Sequence, residues 1–254
     1  MNNFSVDLSG QVAVVTGGGG GLGRAFCLAL GRSGAKVVVA DFNAANAEAT
    51  VTALRAENLT AEPFVVDVTN EAQTREIGSF AVETFGRLDI LVNNAAFMEP
   101  ILQPLLDYPI ETARRTMDVN LFGPLLCIRG VAAAMKANNY GRIINISSGG
   151  AYASQHMYGA SKLALNGLTS YMATELGHAN ITVNAIAPGM MLTAQGDKAR
   201  ENYDSDALAS IIPLKAYGDP EDLCGALLFL CSNGAAWVTG EMIRVDGGWI
   251  KSVL

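Results

Sequence analysis

The strongest constraint in this sequence is an alternation. Short runs of β-branched residues are followed, along the whole chain, by longer Ala- and Leu-rich amphipathic segments. The runs are nearly continuous in apolar residues, so they read as strands buried on both faces rather than strands of a half-exposed sheet. Parallel neighbours require crossover connections, and the intervening segments have the length and period of helices. Strands are expected at 12–16, 36–41, 64–67, 88–93, 142–147, 181–187 and 241–245, and helices at 23–31, 43–58, 71–85, 111–137, 158–177 and about 219–231. Pro124 removes a backbone donor and bends or restarts the helix at 111–137. Asp219-Pro220-Glu221-Asp222 has the form of an N-cap, a proline at the first helical position and acids in the first turn. No stretch reads as a linker. Residues 1–254 are therefore expected to form a single α/β domain, a doubly wound parallel sheet with helices on both faces.

Charge narrows the partners. The chain has 24 acidic against 17 basic residues and no Lys/Arg block, which argues against nucleic acid and anionic membrane surfaces, since both reward clustered positive charge. The charge-free stretch 223–240 is broken by Ser232-Asn233-Gly234 and is too short to span a bilayer. The N-terminal residues lack a basic segment ahead of an apolar one, so no secretory signal is expected and the placement is cytoplasmic. Cys27, Cys127, Cys224 and Cys231 form no CxxC or Cys/His cluster, so no metal site is expected and they read as reduced, buried small hydrophobes.

The 27 glycines among 254 residues have no Gly-X-Y period, so they serve local geometry. Thr16-Gly17-Gly18-Gly19-Gly20-Gly21-Leu22-Gly23 lies between the first strand and first helix, where a sharp turn lets a ligand's phosphates approach backbone amides. A mobile turn would carry the same composition. Asp41, 18 positions after Gly23 at the end of the next strand, supports binding, because its two oxygens can accept from both hydroxyls of an adenosine ribose. Its charge repels a 2′-phosphate, and no basic residue at 18–20 or 42–43 offsets it, which favours NAD(H) over NADP(H). Asp41 can alternatively cap the helix starting near Asn43.

Reaction chemistry is concentrated in Tyr158-Gly159-Ala160-Ser161-Lys162, where Tyr158 and Lys162 project from one helix face. A phenol titrates near ~10 and becomes a base at neutral pH only if a cation stabilises its phenolate, as Lys162 is placed to do. A ring lying against a lysine stem has the same spacing.

The chain resembles the short-chain dehydrogenase/reductase family nearly end to end. The resemblance is carried, in order, by TGGGGGLG at 16–23, Asp41, Asp67-Val68, NNAA at 93–96, Asn120 in MDVN, INISS at 144–148, YGASK, NAIAPG ending at Gly189, Thr193, and VDGG at 245–248. It implies a Rossmann-type fold and hydride transfer between a nicotinamide and a secondary alcohol or ketone. Tyr158 would be the acid/base. Lys162 would lower the tyrosine pKa and hold the nicotinamide ribose, Ser148 would bind the substrate oxygen, and Asn120 would hold a water of a proton relay. Gly17, Gly21, Leu22 and Gly23 would form the phosphate turn, Asp67 and Val68 would bracket the adenine, and Asn94 would face the cofactor ribose. Gly189, Met191 and Thr193 would bind the carboxamide side of the nicotinamide.

Two departures from the family pattern stand out: Ala96 replaces a glycine, and Ser148 lies only ten positions before Tyr158. The shortened loop leaves Ser147 and Ser148 as alternatives, with the second serine preferred. It also brings Tyr152, Gln155 and His156 near the substrate mouth with Phe97, Met98, Met190 and Met191, and segment 190–214 reads as a lid. The expected activity is an NAD-dependent alcohol dehydrogenase or ketone reductase. The alternatives are a 3-oxoacyl-thioester reductase and a non-catalytic NAD(H)-binding subunit. By the same resemblance, the helices at 111–137 and 158–177 would pair in homodimers, and the last strand would complete homotetramers.

Overall fold

The computed structural model describes residues 5–98, 104–153, 156–193, 209–214 and 217–250. Seven parallel strands form one sheet in the order β3-β2-β1-β4-β5-β6-β7. They are β1 (Val12–Thr16), β2 (Lys36–Asp41), β3 (Ala61–Val65), β4 (Ile90–Asn93), β5 (Gly141–Ile146), β6 (Ile181–Pro188) and β7 (Met242–Val245). Along β1, Ala13 and Val15 face one core while Val12 and Val14 face the other, as the period of two requires. The first core is closed by α1 (Gly21–Arg32), α2 (Ala44–Ala56) and α8 (Cys224–Cys231), through Phe26, Leu30, Val51, Leu54 and Leu227. The second is closed by α3 (Glu71–Phe85), α5 (Gly123–Asn138) and α7 (Met157–Leu176), through Ile77, Val131, Met135 and Leu176. Between α3 and α5 the backbones nearly touch: a Cβ on Gly78 would lie 2.5 Å from the Gly130 carbonyl oxygen.

The third strand differs from the sequence expectation. It runs Ala61–Val65 rather than 64–67 and contains Pro63, paired opposite Val39. An edge strand tolerates a residue without an N–H, and β3 is the sheet's outermost strand on that side. The restart near Pro124 is a π-helical turn, Asp118–Phe122, between α4 (Ile110–Met117) and α5. Pro124 has no N–H for the carbonyl four residues earlier, that of Asn120, so the ladder resets there. Before α8 the proline-led segment is a single 3-10 turn, Pro220–Leu223, fixed by the Asp219 N–H donating to Asp222 Oδ2 at 2.8 Å. Of the cysteines, Cys27, Cys127 and Cys231 are buried and Cys224 is only partly so.

The continuous stretch Ile110–Asn138 is long and apolar enough to cross a membrane by length and composition. In this fold it supplies α4, the π turn and α5, and its buried residues Cys127, Ile128, Val131 and Met135 belong to the second core.

Candidate active site

The sheet order reverses direction between β1 and β4, so the loops after these strands diverge and leave a crevice at their carboxyl ends. One wall is the glycine turn. Asn94 donates through Nδ2 to the Thr16 and Gly17 carbonyls, both at 3.0 Å, and the Thr16 hydroxyl accepts from the Asn94 and Ala95 N–H groups at 3.1 and 3.2 Å. Gly23 lies under this turn with no room for a side chain, whereas among the described residues nothing lies within 4 Å of a Cβ built on Gly20 or Gly21. No side chain caps α1, and its first turn carries no acid. Open amides at a helix N-terminus, flanked by small residues and Leu22, fit a pyrophosphate.

Asp41, 7% exposed at the end of β2, accepts from the Gly19 N–H through Oδ2 and the Asn43 N–H through Oδ1, each at 2.9 Å. It does not cap α2; Asn43 does, accepting from the Asn46 N–H. These bonds fix the side chain beside the turn, and each oxygen keeps a lone pair for a further donor such as a ribose hydroxyl. Asp67 is exposed, its Oδ1 held by Thr69, while the buried Val68 packs against Gly123.

The other wall carries the chemistry. Ser147 is buried, with Oγ turned toward the Lys162 carbonyl at 3.5 Å, whereas Ser148 lies near enough to the partly buried Tyr158 to favour its phenolate. The Gly150 N–H donates to Ser148 Oγ at 2.9 Å, a bond that does not use the serine's own proton. This local turn begins the short helix α6 (Gly150–Ala153) inside the shortened loop. Burial raises the Tyr158 pKa above its ordinary 10, and the Ser148 hydrogen bond partly offsets that. Lys162, 2% exposed, donates from Nζ to the Ile146 carbonyl at 2.7 Å, and burial pushes its pKa down to about 7. The sequence reading has the lysine charge lowering the tyrosine pKa. Burial by itself pushes both groups toward their neutral forms, desolvation being the largest cause at each.

Asn120 lies in the π turn and is fully buried. Its carboxamide accepts from the Phe97 N–H at 2.8 Å and donates to the Phe97 carbonyl at 2.9 Å and to Ser161 Oγ at 3.1 Å. Ala96 is exposed and outside the left-handed region, so its methyl group meets no strain. Beyond β6, Gly189 approaches Asp246 too closely for a side chain, and Met191 bridges to Gly218. The Thr193 N–H donates to the Met191 carbonyl at 3.1 Å. Gly189, Met190 and Met191 line a cavity of about 240 Å³ with Ile212, Leu214, Tyr217 and Val245. Of the expected lid, 194–208 lies outside the described residues, as does Gln155; Tyr152 is exposed with its hydroxyl on Asn166, and His156 precedes α7.

The sequence reading did not single out Ser161, or the chain Asn93–Asn145–Thr169 that ties β4, β5 and α7 through bonds of 2.9 Å each. Their signal in the sequence is that Asn93, Asn145 and Ser161 lie within the NNAA, INISS and YGASK motifs, to which no separate role was given.

An open glycine turn, a buried carboxylate fixed beside it and a Ser–Tyr–Lys group on the same edge of the sheet have the form of a dinucleotide-dependent oxidoreductase. Comparison with known proteins places it further. The family model described as enoyl-(acyl carrier protein) reductase matches residues 17–250. An uncharacterized oxidoreductase of Mycobacterium tuberculosis is 42% identical over 241 residues, 94% of this chain and 97% of that protein. The 7alpha-hydroxysteroid dehydrogenase of Escherichia coli is 34% identical over 268 residues, covering 100% of this chain and 99% of that one. A crystal structure of 7 alpha-hydroxysteroid dehydrogenase with NADH and 7-oxo glycochenodeoxycholic acid matches at TM-score 0.88 and 33% identity over 100% of both chains. A Beutenbergia cavernae structure described as an NAD(P)-dependent gluconate 5-dehydrogenase with bound NADP matches at TM-score 0.89 and 32% identity, over 97% of this chain and 99% of that one. The chain belongs to the short-chain dehydrogenase/reductase family and is an oxidoreductase of alcohols and ketones.

Proposed function

We propose that the protein is an NAD(H)-dependent dehydrogenase/reductase of a small secondary alcohol and its ketone, with Tyr158 as acid/base. The observation that carries this reading is the approach of Lys162 Nζ to 5.6 Å from the Tyr158 ring centre, close to Ser148 after β5, on the same edge of the sheet as the glycine turn after β1. Gly17, Gly21, Leu22 and Gly23 would hold the pyrophosphate, Asp41 the adenosine ribose, and Asp67 and Val68 the adenine. Asn94 braces the turn, and Gly189, Met191 and Thr193 would hold the nicotinamide end. When bound, the dinucleotide supplies the hydride acceptor or donor. In oxidation the substrate hydroxyl proton passes to the phenolate oxygen of Tyr158; in reduction Tyr158 returns it to the carbonyl oxygen. Ser148 donates to that oxygen and orients it.

The cofactor preference rests on Asp41, whose carboxylate is held by two backbone N–H groups and faces no cation in the turn. A 2′-phosphate there meets a like charge that cannot move away. We expect kcat/KM with NAD to exceed that with NADP by about 100-fold or more, a discrimination of roughly 2.7 kcal/mol. Initial rates with both cofactors over a panel of secondary alcohols and ketones test this. Equal or better use of NADP(H) would instead favour the 3-oxoacyl-thioester reductase reading.

The pH dependence follows from counting the protons that Tyr158 and Lys162 hold between them. Below about 7 the pair carries two protons, because Lys162 is charged and Tyr158 is neutral. Above about 7 one proton remains until the raised tyrosine value is passed, and when it resides on Lys162 the phenolate is a base. Oxidation, which uses the one-proton form, is expected to rise toward pH 7 and then level off. Reduction, which uses the two-proton form, is expected to be level below pH 7 and to fall above it. Profiles of kcat/KM in both directions check the signs, and parallel profiles would contradict them.

Apolar side chains left exposed on α4, α7 and the π turn, Ile110, Leu163, Tyr171 and Phe122, support pairing of copies through these helices. Trp237, 99% exposed before β7, supports a second contact completing a tetramer, with sedimentation velocity as the measure.

A further inference from the structure

One hydroxyl outside the residues assigned above connects two of them. Ser161 is fully buried in the first turns of α7. Its O–H donates to the Tyr158 carbonyl at 2.7 Å, and its oxygen accepts from Asn120 Nδ2 at 3.1 Å. The remaining Nδ2 hydrogen of Asn120 goes to the Phe97 carbonyl, and its Oδ1 accepts from the Phe97 N–H. The carboxamide therefore spends both hydrogens, one of them on Ser161. A helical serine commonly bonds back to a carbonyl one turn earlier, and alanine is the better helix former at such a site. Ser161 does more than follow that local habit, because it also receives a side chain from another element. The carbonyl it holds is also the ladder acceptor for the Lys162 N–H, so one group sits between the backbones of the tyrosine and the lysine. A continuous chain of hydrogen bonds runs from the loop after β4, through the π turn, to the residue that carries the phenol.

We infer that Ser161 is a positioning residue, which transmits the placement of Asn120 and the Phe97 loop to Tyr158. The inference rests on the acid/base role given to Tyr158 above. It predicts that Ser161→Ala leaves one Asn120 hydrogen buried without an acceptor and lets the first turn of α7 shift against the π turn.

The test uses the full-length protein with NAD and an alcohol found in the panel. For Ser161→Ala, kcat is expected to fall about 10- to 100-fold, with KM for NAD and alcohol changing less than about threefold. Asn120→Ala with Ser161→Ala is expected to lose no more than Asn120→Ala alone, within about twofold, since both act through one chain. Unchanged kcat per NADH-binding site in Ser161→Ala, or losses that multiply in the double variant, would overturn the inference. Should the alanine variant not fold, Ser161→Cys retains the volume with a weak donor and is read the same way.

A wild-type enzyme with no turnover on the panel would count against the proposed function. In that case the inference is decided by phenolate absorbance, isolated by subtracting the Tyr158→Phe spectrum. Ser161→Ala is expected to move the Tyr158 midpoint by about half a unit or more, and an unmoved midpoint overturns the inference.

Discussion

Tyr158→Phe is expected to reduce turnover about 1,000-fold or more in both directions while leaving NADH affinity within about threefold of wild type. The substitution deletes one oxygen and leaves the ring in place. Ser148 keeps its Gly150 donor, Lys162 keeps its Ile146 acceptor, and the backbone carbonyl of residue 158 still receives Ser161. Nothing that would hold the adenosine half of the cofactor is touched, since Asp41 and the glycine turn are fixed by their own hydrogen bonds. The loss is thus confined to proton transfer at the substrate oxygen. Lys162, whose titration sets the limb near 7, is retained, so the loss is expected at every pH. NADH fluorescence titration and steady-state rates together decide the matter: a variant retaining more than a tenth of wild-type turnover would leave the chemistry without its acid/base.

Most of the sheet was legible because parallel strands buried on both faces leave a continuous apolar signature that few other arrangements produce. Ala61–Val65 escaped because Pro63 argues against a central strand, and only the assembled order shows this strand to be at the edge. The break in the fourth predicted helix was legible as Pro124, but the π turn four residues earlier was not, since its geometry depends on what Asn120 can bond in the loop after β4 and on α7. The choice between Ser147 and Ser148 turns on direction. Ser147 still follows the alternation of β5 and faces α7, while Ser148 has left the strand and starts a turn. Protonation was least legible of all. Spacing places Lys162 near Tyr158, but how far burial opposes charge on either depends on atoms contributed by β5 and the loops, not on the motif.

The same distinction between a legible motif and its packing predicts unequal costs for two glycines of one turn. Gly21 has φ +51 with nothing within 4 Å of an added Cβ, so Gly21→Ala pays only for a left-handed alanine, about 1 kcal/mol. Gly23 has an ordinary helical backbone, yet its Cβ would enter the Gly17 carbonyl oxygen and lie 2.6 Å from Asn94 Nδ2. Neither neighbour can yield cheaply. The Gly17 carbonyl is main chain, and Asn94 Nδ2 already holds the Thr16 and Gly17 carbonyls at 3.0 Å each. Gly23→Ala must push α1 away from β1 or break that brace. Overpacking and the lost hydrogen bonds sum to about 3 kcal/mol or more, a large share of a typical domain's stability. Thermal denaturation is expected to drop by about 6–12 °C for Gly23→Ala and about 2–4 °C for Gly21→Ala. NADH affinity is expected to fall about 100-fold or more for Gly23→Ala, because the amides of the phosphate turn move with the brace. Equal Tm losses in the two variants would mean that backbone conformation, not the approach of α1 to the turn, limits this motif, and would remove the structural basis for assigning Gly23 to it.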